Sequence, residues 1–550
     1  MRPCHYVMQI SSIVVLSLAL SLVAPSVGAD ALVRELAHGA PIAGTNGLAV
    51  GPDGLLYVTS VSGREIVVMD PQSGRILDRL GSEVGVETPD DATFGPDGSL
   101  YWTALFAGQV GRLQPDGTAS IIAQLPPGPN PIAFNAQGRL FVGLAAFGDG
   151  LYEIDPDGIL PPDLILATTD GLNGFAFGPD GFLYSPQTMT GSVARIDVDA
   201  GTVTPVFTGF VLPVALDFDS QGRLYVNDTA ADEIIRIDLS TGEREVFAEL
   251  SDGVDNLAFD ADDTLYTTSL LQGSVRRIRQ NGSVTTISPS GMTSPGGVAV
   301  LPSGPQGQQE RVWVADFFSL RGFGANSGRE EAFEPTVPGL SPLTAPATVS
   351  ADGGQLIISS WILNAVQVFD PETGAVTLNV SDFDGPINAI RFGGDLVVAE
   401  IGTGSIVRAD GSDPSQRQTL ASGLAVPAGL AADGDDLYAT DSIFGTVSQV
   451  VDGGQVLSPP QVIASGLAGP EGLAVLATGD LVVVEAGAGR VSRVEKASGF
   501  VAPIAENLEL GAPPPPLVPP TWFFNGVAVG ADGTLYVTGD VGRVLYKIRP

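Results

Sequence analysis

Five hydrogen-bonding side chains occupy one recurring position in the first half of the chain. Each opens a short apolar run, and successive runs lie roughly 40 residues apart, the period of a propeller repeat. The residues are Asn46, Asp90, Asn130, Asn173 and Asp255. Carboxylate and amide oxygens that converge on one point are what a hard cation such as Ca²⁺ or Mg²⁺ requires. The sequence therefore predicts a divalent-cation site formed by these five residues, if the fold brings them to one centre.

A local explanation competes with this prediction. Asn or Asp before Gly often forms a turn in which the side chain binds its own backbone. That explanation predicts that Asn or Asp occurs at this position equally often in both halves of the chain. In the second half, however, fewer copies have an oxygen-bearing side chain at this position. There the position holds Gly296, Ala345, Asn388, Ala428, Glu471 and Asn525, and in the first half the fifth copy holds Val214. A second, weaker cation site would use Asn388, Glu471 and Asn525.

The elements that position these residues form a twelvefold repeat. Asn46 to Thr59 shows its pattern, in which Leu-Ala-Val is followed by Gly-Pro-Asp-Gly and then by Leu-Tyr-Val-Thr. Proline presets φ for a turn and glycine supplies the positive φ that closes a hairpin. A third strand and a more polar fourth strand follow in each copy. Four short strands per repeat predict a β-propeller blade, because an array of β-sandwiches does not need the same hairpin at the same offset in every copy.

Twelve blades predict an all-β protein made of two six-bladed propellers in tandem, residues 30–282 and 283–550. The chain begins with an unpaired strand, 31–37, and ends on the third strand of a blade. We expect the N-terminal strand to complete the sixth blade beside Ser274–Arg279, which frees Ser283–Ser288 to complete the twelfth. The alternative is that the N-terminal strand pairs with the twelfth blade and joins the two rings.

Three segments depart from the repeat. Blade seven contains two apparent insertions, Ser303–Arg311 and Ser319–Pro338, and a proline-rich segment, Ala512–Pro520, precedes blade twelve. Long insertions in a propeller lie on its rims. They are either lids over the central channel or spacers between the rings.

Residues 1–29 read as a secretory signal peptide. Arg2 provides the positive start, an apolar stretch follows, and Val27-Gly28-Ala29 resembles a cleavage site. The single cysteine, Cys4, lies in this segment, so the secreted chain is expected to have neither disulfides nor a thiol nucleophile. A formal net charge of −36 argues against nucleic acid and anionic membrane surfaces as partners. We expect export to the periplasm or the medium.

The blade signature resembles that of the senescence marker protein, gluconolactonase and luciferin-regenerating enzyme family, and of NHL-repeat propellers. The resemblance rests on Asn-Gly-Leu-Ala-Val-Gly-Pro-Asp-Gly and its copies at Asn46, Asn173 and Asn525. It implies a metal-dependent lactonase in which Asn130 and Asn173 are neutral ligands, Asp255 is an anionic ligand or base, and Asp90 is the other candidate acid. The first blade departs from that family's pattern, because Asn46 stands where those lactonases have a glutamate.

The blades also resemble those of virginiamycin B lyase, which depends on a catalytic histidine. After the predicted cleavage the only histidine is His38, which precedes the first blade. Histidine dyads, Ser-His-Asp triads and histidine-ligated metals are excluded on the same ground. Two hypotheses remain. One is a divalent-metal-dependent hydrolase of lactones or small esters, with Asp255 and Asp90 as catalytic residues. The other is a non-catalytic, NHL-like scaffold that binds a protein or carbohydrate ligand.

Overall fold

The computed structural model describes residues 31–145, 147–250, 253–303, 309–336, 341–343, 345–515 and 518–550. The predicted signal peptide and Cys4 lie outside these ranges. Within them the chain forms twelve four-stranded antiparallel sheets, each strand pairing with its neighbour in sequence except at the chain ends. Three short 3-10 turns, Ser82–Val84, Thr188–Thr190 and Ala486–Ala488, are also present. The described part of the chain contains no helix long and apolar enough to span a membrane.

The first six sheets form one closed ring. Their inner strands contact each other in order, and the first contacts the sixth. The strands are β2 Thr45–Val50, β3 Leu56–Ser60, β4 Glu65–Met69 and β5 Ile76–Leu80; β6 Pro89–Phe94, β7 Leu100–Ala104, β8 Gln109–Leu113 and β9 Ala119–Gln124; β10 Pro129–Phe134, β11 Leu140–Leu144, β12 Gly150–Ile154 and β13 Asp163–Leu166; β14 Ala176–Phe177, β15 Leu183–Gln187, β16 Ser192–Asp197 and β17 Thr202–Thr208; β18 Pro213–Phe218, β19 Leu224–Asp228, β20 Glu233–Ile237 and β21 Arg244–Glu249; β22 Leu257–Phe259, β23 Leu265–Ser269, β24 Ser274–Ile278 and β25 Val284–Ser288.

The remaining sheets form a second closed ring, in which blade seven contacts blade twelve. It contains β26 Val298–Ser303, β27 Gln309–Asp316, β28 Ser319–Gly324 and β29 Glu330–Pro335; β30 Thr348–Asp352, β31 Gln355–Ser360, β32 Ala365–Asp370 and β33 Ala375–Val380; β34 Pro386–Phe392, β35 Asp395–Glu400, β36 Ser405–Ala409 and β37 Arg417–Ala421; β38 Pro427–Asp433, β39 Asp436–Asp441, β40 Thr446–Asp452 and β41 Gln455–Ser465; β42 Pro470–Val475, β43 Leu481–Glu485, β44 Arg490–Val494 and β45 Val501–Ala505; β46 Val527–Val529, β47 Leu535–Gly539 and β48 Val544–Arg549, with β1 Leu32–His38 as its last member. The predicted pair of six-bladed propellers is confirmed.

The hairpin of blade one forms as the repeat predicts. In blade one Gly54 adopts φ 76° and its N–H donates to the Gly51 carbonyl at 2.9 Å. The Asp53 carboxylate accepts from the Leu55 N–H at 3.1 Å and from the Tyr57 hydroxyl at 3.1 Å. The turn residue therefore also holds the tyrosine of the next strand, which explains why Asp-Gly and Leu-Tyr recur together.

Apolar clusters between neighbouring blades hold each ring together. Leu56 and Val58 of β3 and Val67 of β4 are fully buried and pack against Tyr266 and Val275 of blade six. Alternate residues of these strands face the adjacent blade, as the period of two in a β-strand requires. Equivalent clusters join the other neighbouring blades of the first ring. Each sheet is buried on both faces, so the inner strands are held around a central channel.

The expected exchange of strands between the rings is wrong. β1 pairs antiparallel with β48, and β25 stays with β24 in blade six. The tight turn at Gly282, φ 77°, joins β24 to β25, so their pairing closes a very short loop. In blade twelve, Leu36 and Ala37 of β1 pack in one buried cluster with Tyr536 and Leu545. Sheet pairing therefore moves the division between the rings from residue 282 to a point after Ser288, and it assigns the N-terminal strand to the second ring.

The apparent insertion Ser319–Pro338 is mostly regular sheet, because β28 and β29 lie within it and pair as the third and fourth strands of blade seven. Residues 304–308 of the other insertion lie outside the described part of the chain. The proline-rich segment contacts the first ring, where the Arg64 Nη1 donates to the Pro513 carbonyl at 2.8 Å. This hydrogen bond links the segment before blade twelve to blade one.

Candidate functional site: the mouth of the first ring

The openings of the inner strands place three of the predicted residues together. Asn46 lies at the start of β2, Asp90 at the start of β6, and Asp255 just before β22. The Asn46 Nδ2 donates to the Asp90 Oδ1 at 3.0 Å. Asp90 and Asp255 lie close enough for their charges to interact. Blades one, two and six are neighbours around the closed ring, which explains this grouping.

Two carboxylate oxygens in this group are buried and unused. The Asp90 Oδ2 and the Asp255 Oδ2 have no hydrogen-bond partner within the described ranges. Asp90 is 2% exposed as a residue, whereas Asp255 keeps some exposed surface although its Oδ2 is inaccessible. A buried carboxylate oxygen without a partner is costly, which is why such atoms point to a missing cation or proton.

Asn130 and Asn173 contribute differently. The Asn173 Oδ1 accepts from the N–H of Gly174 at 2.9 Å. This is the local hydrogen bond that the sequence analysis gives as the alternative to a ligand role for Asn173. Asn130 is half-buried, and its backbone carbonyl accepts from the Thr103 hydroxyl at 2.9 Å. Both residues open inner strands of the first ring, on blades three and four.

Three further polar residues of the channel were missed by the sequence prediction. Asp91 and Asn256 each follow an opening residue, and the Asn256 Nδ2 donates to the Asp91 Oδ1 at 3.4 Å. Asp217 lies deeper, and its carboxylate accepts from the Phe218 N–H at 2.8 Å and the Phe259 N–H at 3.2 Å. These residues line a cavity of about 380 Å³ bounded by all six inner strands.

A sequence signal for two of them exists. The position after the opening residue is Gly47 in the first copy and Gly174 in the fourth, but Asp91 in the second and Asn256 in the sixth. Gly47 makes room for its neighbour, since a Cβ there would lie 2.2 Å from the Asp91 Oδ1 and 2.6 Å from its Cα. A polar residue at a position otherwise kept small marks a side chain that enters the channel.

Burial raises the pKa values of this carboxylate group. Burial is the largest cause for Asp90, whose pKa lies well above its usual value, and the charges of Asp255 and Asp91 raise it further. Burial also raises the pKa of Asp255 to about 7. For Asp91 burial outweighs the N–H donors of Ala92 and Ile132, and the pKa is about 7. The site thus contains two carboxyl groups, those of Asp91 and Asp255, whose pKa values lie near neutral pH, the range suited to a general acid or base.

The donor set fits a hard divalent cation in part. Asp90 and Asp255 would supply anionic oxygens, and a cation would satisfy their two unpartnered atoms. The described residues contain no cluster of three or more His, Cys, Asp or Glu side chains arranged to hold a metal ion. Any cation here would complete its coordination with water or amide oxygens.

The opening positions of the second ring are arranged differently. Glu471 is 5% exposed, and its Oε2 accepts from the Asn525 backbone N–H at 2.7 Å and Nδ2 at 2.8 Å. Burial, with the charge of Asp540, raises the pKa of Glu471 to about 8. The Asn388 Oδ1 is buried without a described partner. The Glu471 Oε2 thus has two donors, whereas the Asp90 Oδ2 and the Asp255 Oδ2 of the first ring have none among the described residues.

Comparison with known proteins assigns the fold to a family. The sequence model of the virginiamycin B lyase family matches residues 31–319, a range that contains the whole first ring and its mouth. The chain belongs to the virginiamycin B lyase family. No curated protein matches the chain in sequence.

Solved structures with similar folds include the virginiamycin B lyase of Staphylococcus aureus, with 18% identity over 52% of this chain and 96% of that chain and a TM-score of 0.37. They also include a gluconolactonase of Xanthomonas campestris, with 18% identity over 44% of this chain and 86% of that chain and a TM-score of 0.35. An extracellular domain of a one-component system from B. thetaiotaomicron shares 12% identity over 94% of this chain and 82% of that chain, with a TM-score of 0.32. The predicted resemblance to propeller enzymes of these kinds is confirmed.

Proposed function

We propose that this protein is a secreted, divalent-cation-dependent hydrolase of lactones or related small esters, with its active site at the mouth of the first ring. The observation that carries the proposal is the pair of buried, unpartnered carboxylate oxygens on Asp90 and Asp255. Ca²⁺ and Mg²⁺ are the cations whose preferred ligands match these oxygens. Family membership supports an enzymatic role for a propeller of this kind.

Each residue has a role in the proposed reaction. The Asp90 Oδ2 would hold the cation, which polarises the substrate carbonyl when it is bound. The Asn46 Nδ2 orients the Asp90 carboxylate through the Oδ1. The Asp255 carboxylate accepts a proton from the water whose oxygen bonds to the carbonyl carbon. The ring C–O bond then breaks, and the leaving oxygen takes up that proton, so the product is a hydroxy acid.

The residues of this chain support the lyase activity, after which the family is named, less well than they support hydrolysis. Lyase chemistry of that kind depends on a histidine, and His38 is the only histidine in the described ranges. It lies at the end of β1 in blade twelve, its side chain is largely exposed, and its Nε2 lies 3.6 Å from the Glu35 Oε2. The residue is thus part of the second ring and is placed away from the channel carboxylates of the first.

The experiment is hydrolysis of a panel of lactones and aryl esters, with virginiamycin B included, by protein treated with EDTA and then supplied with Ca²⁺, Mg²⁺, Mn²⁺ or Zn²⁺. We expect cation-dependent activity that falls at least a hundredfold in Asp255→Asn and Asp90→Asn, as loss of a general base commonly does. Glu471→Gln is the matched control, since it neutralises a buried carboxylate at the equivalent position of the second ring. Absence of turnover on every substrate and cation would favour the non-catalytic binding scaffold.

Secretion is a separate part of the proposal. It rests on the signal-peptide pattern of residues 1–29. N-terminal sequencing of exported protein should start at Asp30, and a start at Met1 would contradict cleavage.

A further inference from the structure

A cavity of about 390 Å³ lies at the seam where blade six meets blade one of the first ring. Blade six contributes the turn after β22 and the turn between β24 and β25, and blade one contributes Gln72 from the turn between β4 and β5. Asp255 lies just before β22, whereas the cavity lies at the turn after it. This seam cavity is therefore at the opposite end of the blade from the candidate active site.

The charge of the seam cavity differs from that of the whole chain. The sequence has 26 lysine and arginine residues against 62 aspartate and glutamate residues. The lining of the cavity reverses this balance, because it contains Arg277 and Arg279 but a single acidic residue, Asp262. Two arginines against one aspartate give the lining a net formal charge of +1. A small anion is the ligand that such a lining favours.

Arg277 reaches across the seam and keeps part of its guanidinium free. Its Nη1 donates to the Gln72 Oε1 at 2.6 Å and to the Pro71 carbonyl at 3.3 Å. The residue is 8% exposed, and its Nη2 makes no hydrogen bond within the described part of the chain. The Nε is enclosed, but the Nη2 is not among the enclosed atoms without a partner, so it keeps accessible surface. Since Arg277 lines the cavity, the Nη2 can donate to a ligand there.

The carboxylates closest to Arg277 are bound to other donors. Asp70, Asp260 and Arg277 all lie near enough to Tyr266 for their charges to act on its hydroxyl. The Asp260 Oδ2 accepts from the Tyr266 hydroxyl at 3.2 Å, and the Asp70 Oδ1 accepts from the Ser73 N–H at 2.7 Å. Among the described residues Arg277 forms no ion pair with either carboxylate. A largely buried guanidinium without a paired anion gains from a ligand that supplies one.

Arg279 is fixed at its backbone and free at its side chain. Its N–H donates to the Ser283 carbonyl at 3.1 Å, and its carbonyl accepts from the Gly282 N–H at 2.8 Å. The side chain is exposed and has no hydrogen-bond or ion-pair partner in the ranges that the structure describes. The tight turn thus holds a second, unpaired guanidinium at the edge of the seam cavity.

We propose that the seam cavity binds a small sugar acid that carries one carboxylate. The carboxylate would accept from the Arg277 Nη2 and from the Arg279 guanidinium, in the charge-assisted hydrogen bonds that arginine forms with carboxylates. A ligand of charge −1 balances the lining, whereas a phosphate dianion exceeds it. Hydroxyl groups of the ligand would donate to the Asp262 carboxylate and meet the amide of Asn281 at the rim.

The size of the seam cavity agrees with a ligand of this class. Small-molecule sites typically enclose about 300–1,000 Å³, and about 390 Å³ places this cavity near the lower end of that range. The site uses residues of blades one and six only. It does not depend on the hydrolytic activity proposed for the mouth of the first ring.

The test is calorimetric titration of the full-length protein in EDTA with D-glucuronate, D-glucose and inorganic phosphate. EDTA keeps the mouth of the first ring free of cations, and D-glucose has the same ring as the acid without its carboxylate. We expect D-glucuronate to bind and D-glucose not to bind. Arg279→Gln should weaken D-glucuronate binding about tenfold or more, the effect of one hydrogen bond to a charged group.

Arg75→Gln is the matched control. It removes the charge of an exposed arginine in the same turn as Gln72, but Arg75 does not line the seam cavity. This variant should leave the affinity for D-glucuronate nearly unchanged, because solvent and salt screen a charge that does not touch the ligand.

A further variant separates binding from folding. Gln72→Glu puts a carboxylate where the Gln72 Oε1 already accepts from the Arg277 Nη1, so the protein supplies its own anion. It should weaken D-glucuronate binding about tenfold or more without lowering the melting temperature. The proposal is overturned by absence of D-glucuronate binding, by equal binding of D-glucose or by tighter binding of phosphate. It is also overturned if Arg279→Gln and Gln72→Glu leave the affinity unchanged.

Discussion

Replacing Asp255 by asparagine should stabilise the cation-free protein at alkaline pH. Burial raises the pKa of Asp255 to about 7, compared with about 3.9 for an aspartate in the unfolded chain. The difference of about 3 pKa units, at 1.36 kcal/mol each, corresponds to a penalty of at most about 4 kcal/mol when the carboxylate is ionised in the folded state. Asparagine has nearly the same shape and carries no charge, so the variant avoids this penalty.

The pH dependence follows from the raised pKa. Below about pH 4 both states bind the proton, and the carboxyl group makes no unfavourable contribution. Between about pH 4 and 7 the unfolded chain releases the proton while the folded protein keeps it, so the wild-type free energy of unfolding falls as pH rises. We expect the advantage of Asp255→Asn to be near zero at pH 4 and to approach about 4 kcal/mol at pH 8.

Urea denaturation in EDTA at pH 4, 6 and 8 measures this difference. Asp262→Asn, at an exposed position in the turn that follows β22, is the control and should change the midpoint little at any pH. Saturation with Ca²⁺ at about 100 times its dissociation constant should stabilise the wild type by about 2.7 kcal/mol at pH 8 and the variant much less. A variant no more stable than the wild type at pH 8 in EDTA would refute the reasoning that Asp255 is a buried carboxylate without compensation.

Three further predictions concern the fold. Leu36→Ala should destabilise the second ring by about 3 kcal/mol in thermal unfolding, because β1 fills the core of blade twelve; an unchanged second transition would contradict this role. Arg321→Met should cost about 3–5 kcal/mol in urea denaturation by leaving the buried Asp316 carboxylate unpaired, and a neutral effect would show that the ion pair is dispensable. Gly47→Ala should destabilise the first ring by about 2 kcal/mol, whereas Gly354→Ala, where a Cβ meets open space, should not; equal melting temperatures would rule out the close approach to blade two.

The sequence alone was sufficient for the blades and for part of the site. The Gly-Pro-Asp-Gly turn at Gly54 and the tyrosine that follows at Tyr57 are local features, so their spacing specifies the hairpin wherever it occurs. Twelve copies then imply two rings. The opening positions were also readable, because the residues that start the inner strands lie together at one end of the ring. Asn46, Asp90 and Asp255 were predicted in this way and lie together.

Only the tertiary structure decided how distant segments combine. Pairing of β1 with β48 joins residues more than 500 positions apart, and no local pattern distinguishes it from the rejected pairing with blade six. The contributions of Asp91 and Asn256 depend on their position across the channel, and the seam cavity at Arg277 exists only because blades one and six meet when the first ring closes. Turns and strands follow from neighbours in sequence, whereas channels, clefts and pKa values depend on which side chains are brought together and how far water is excluded from them.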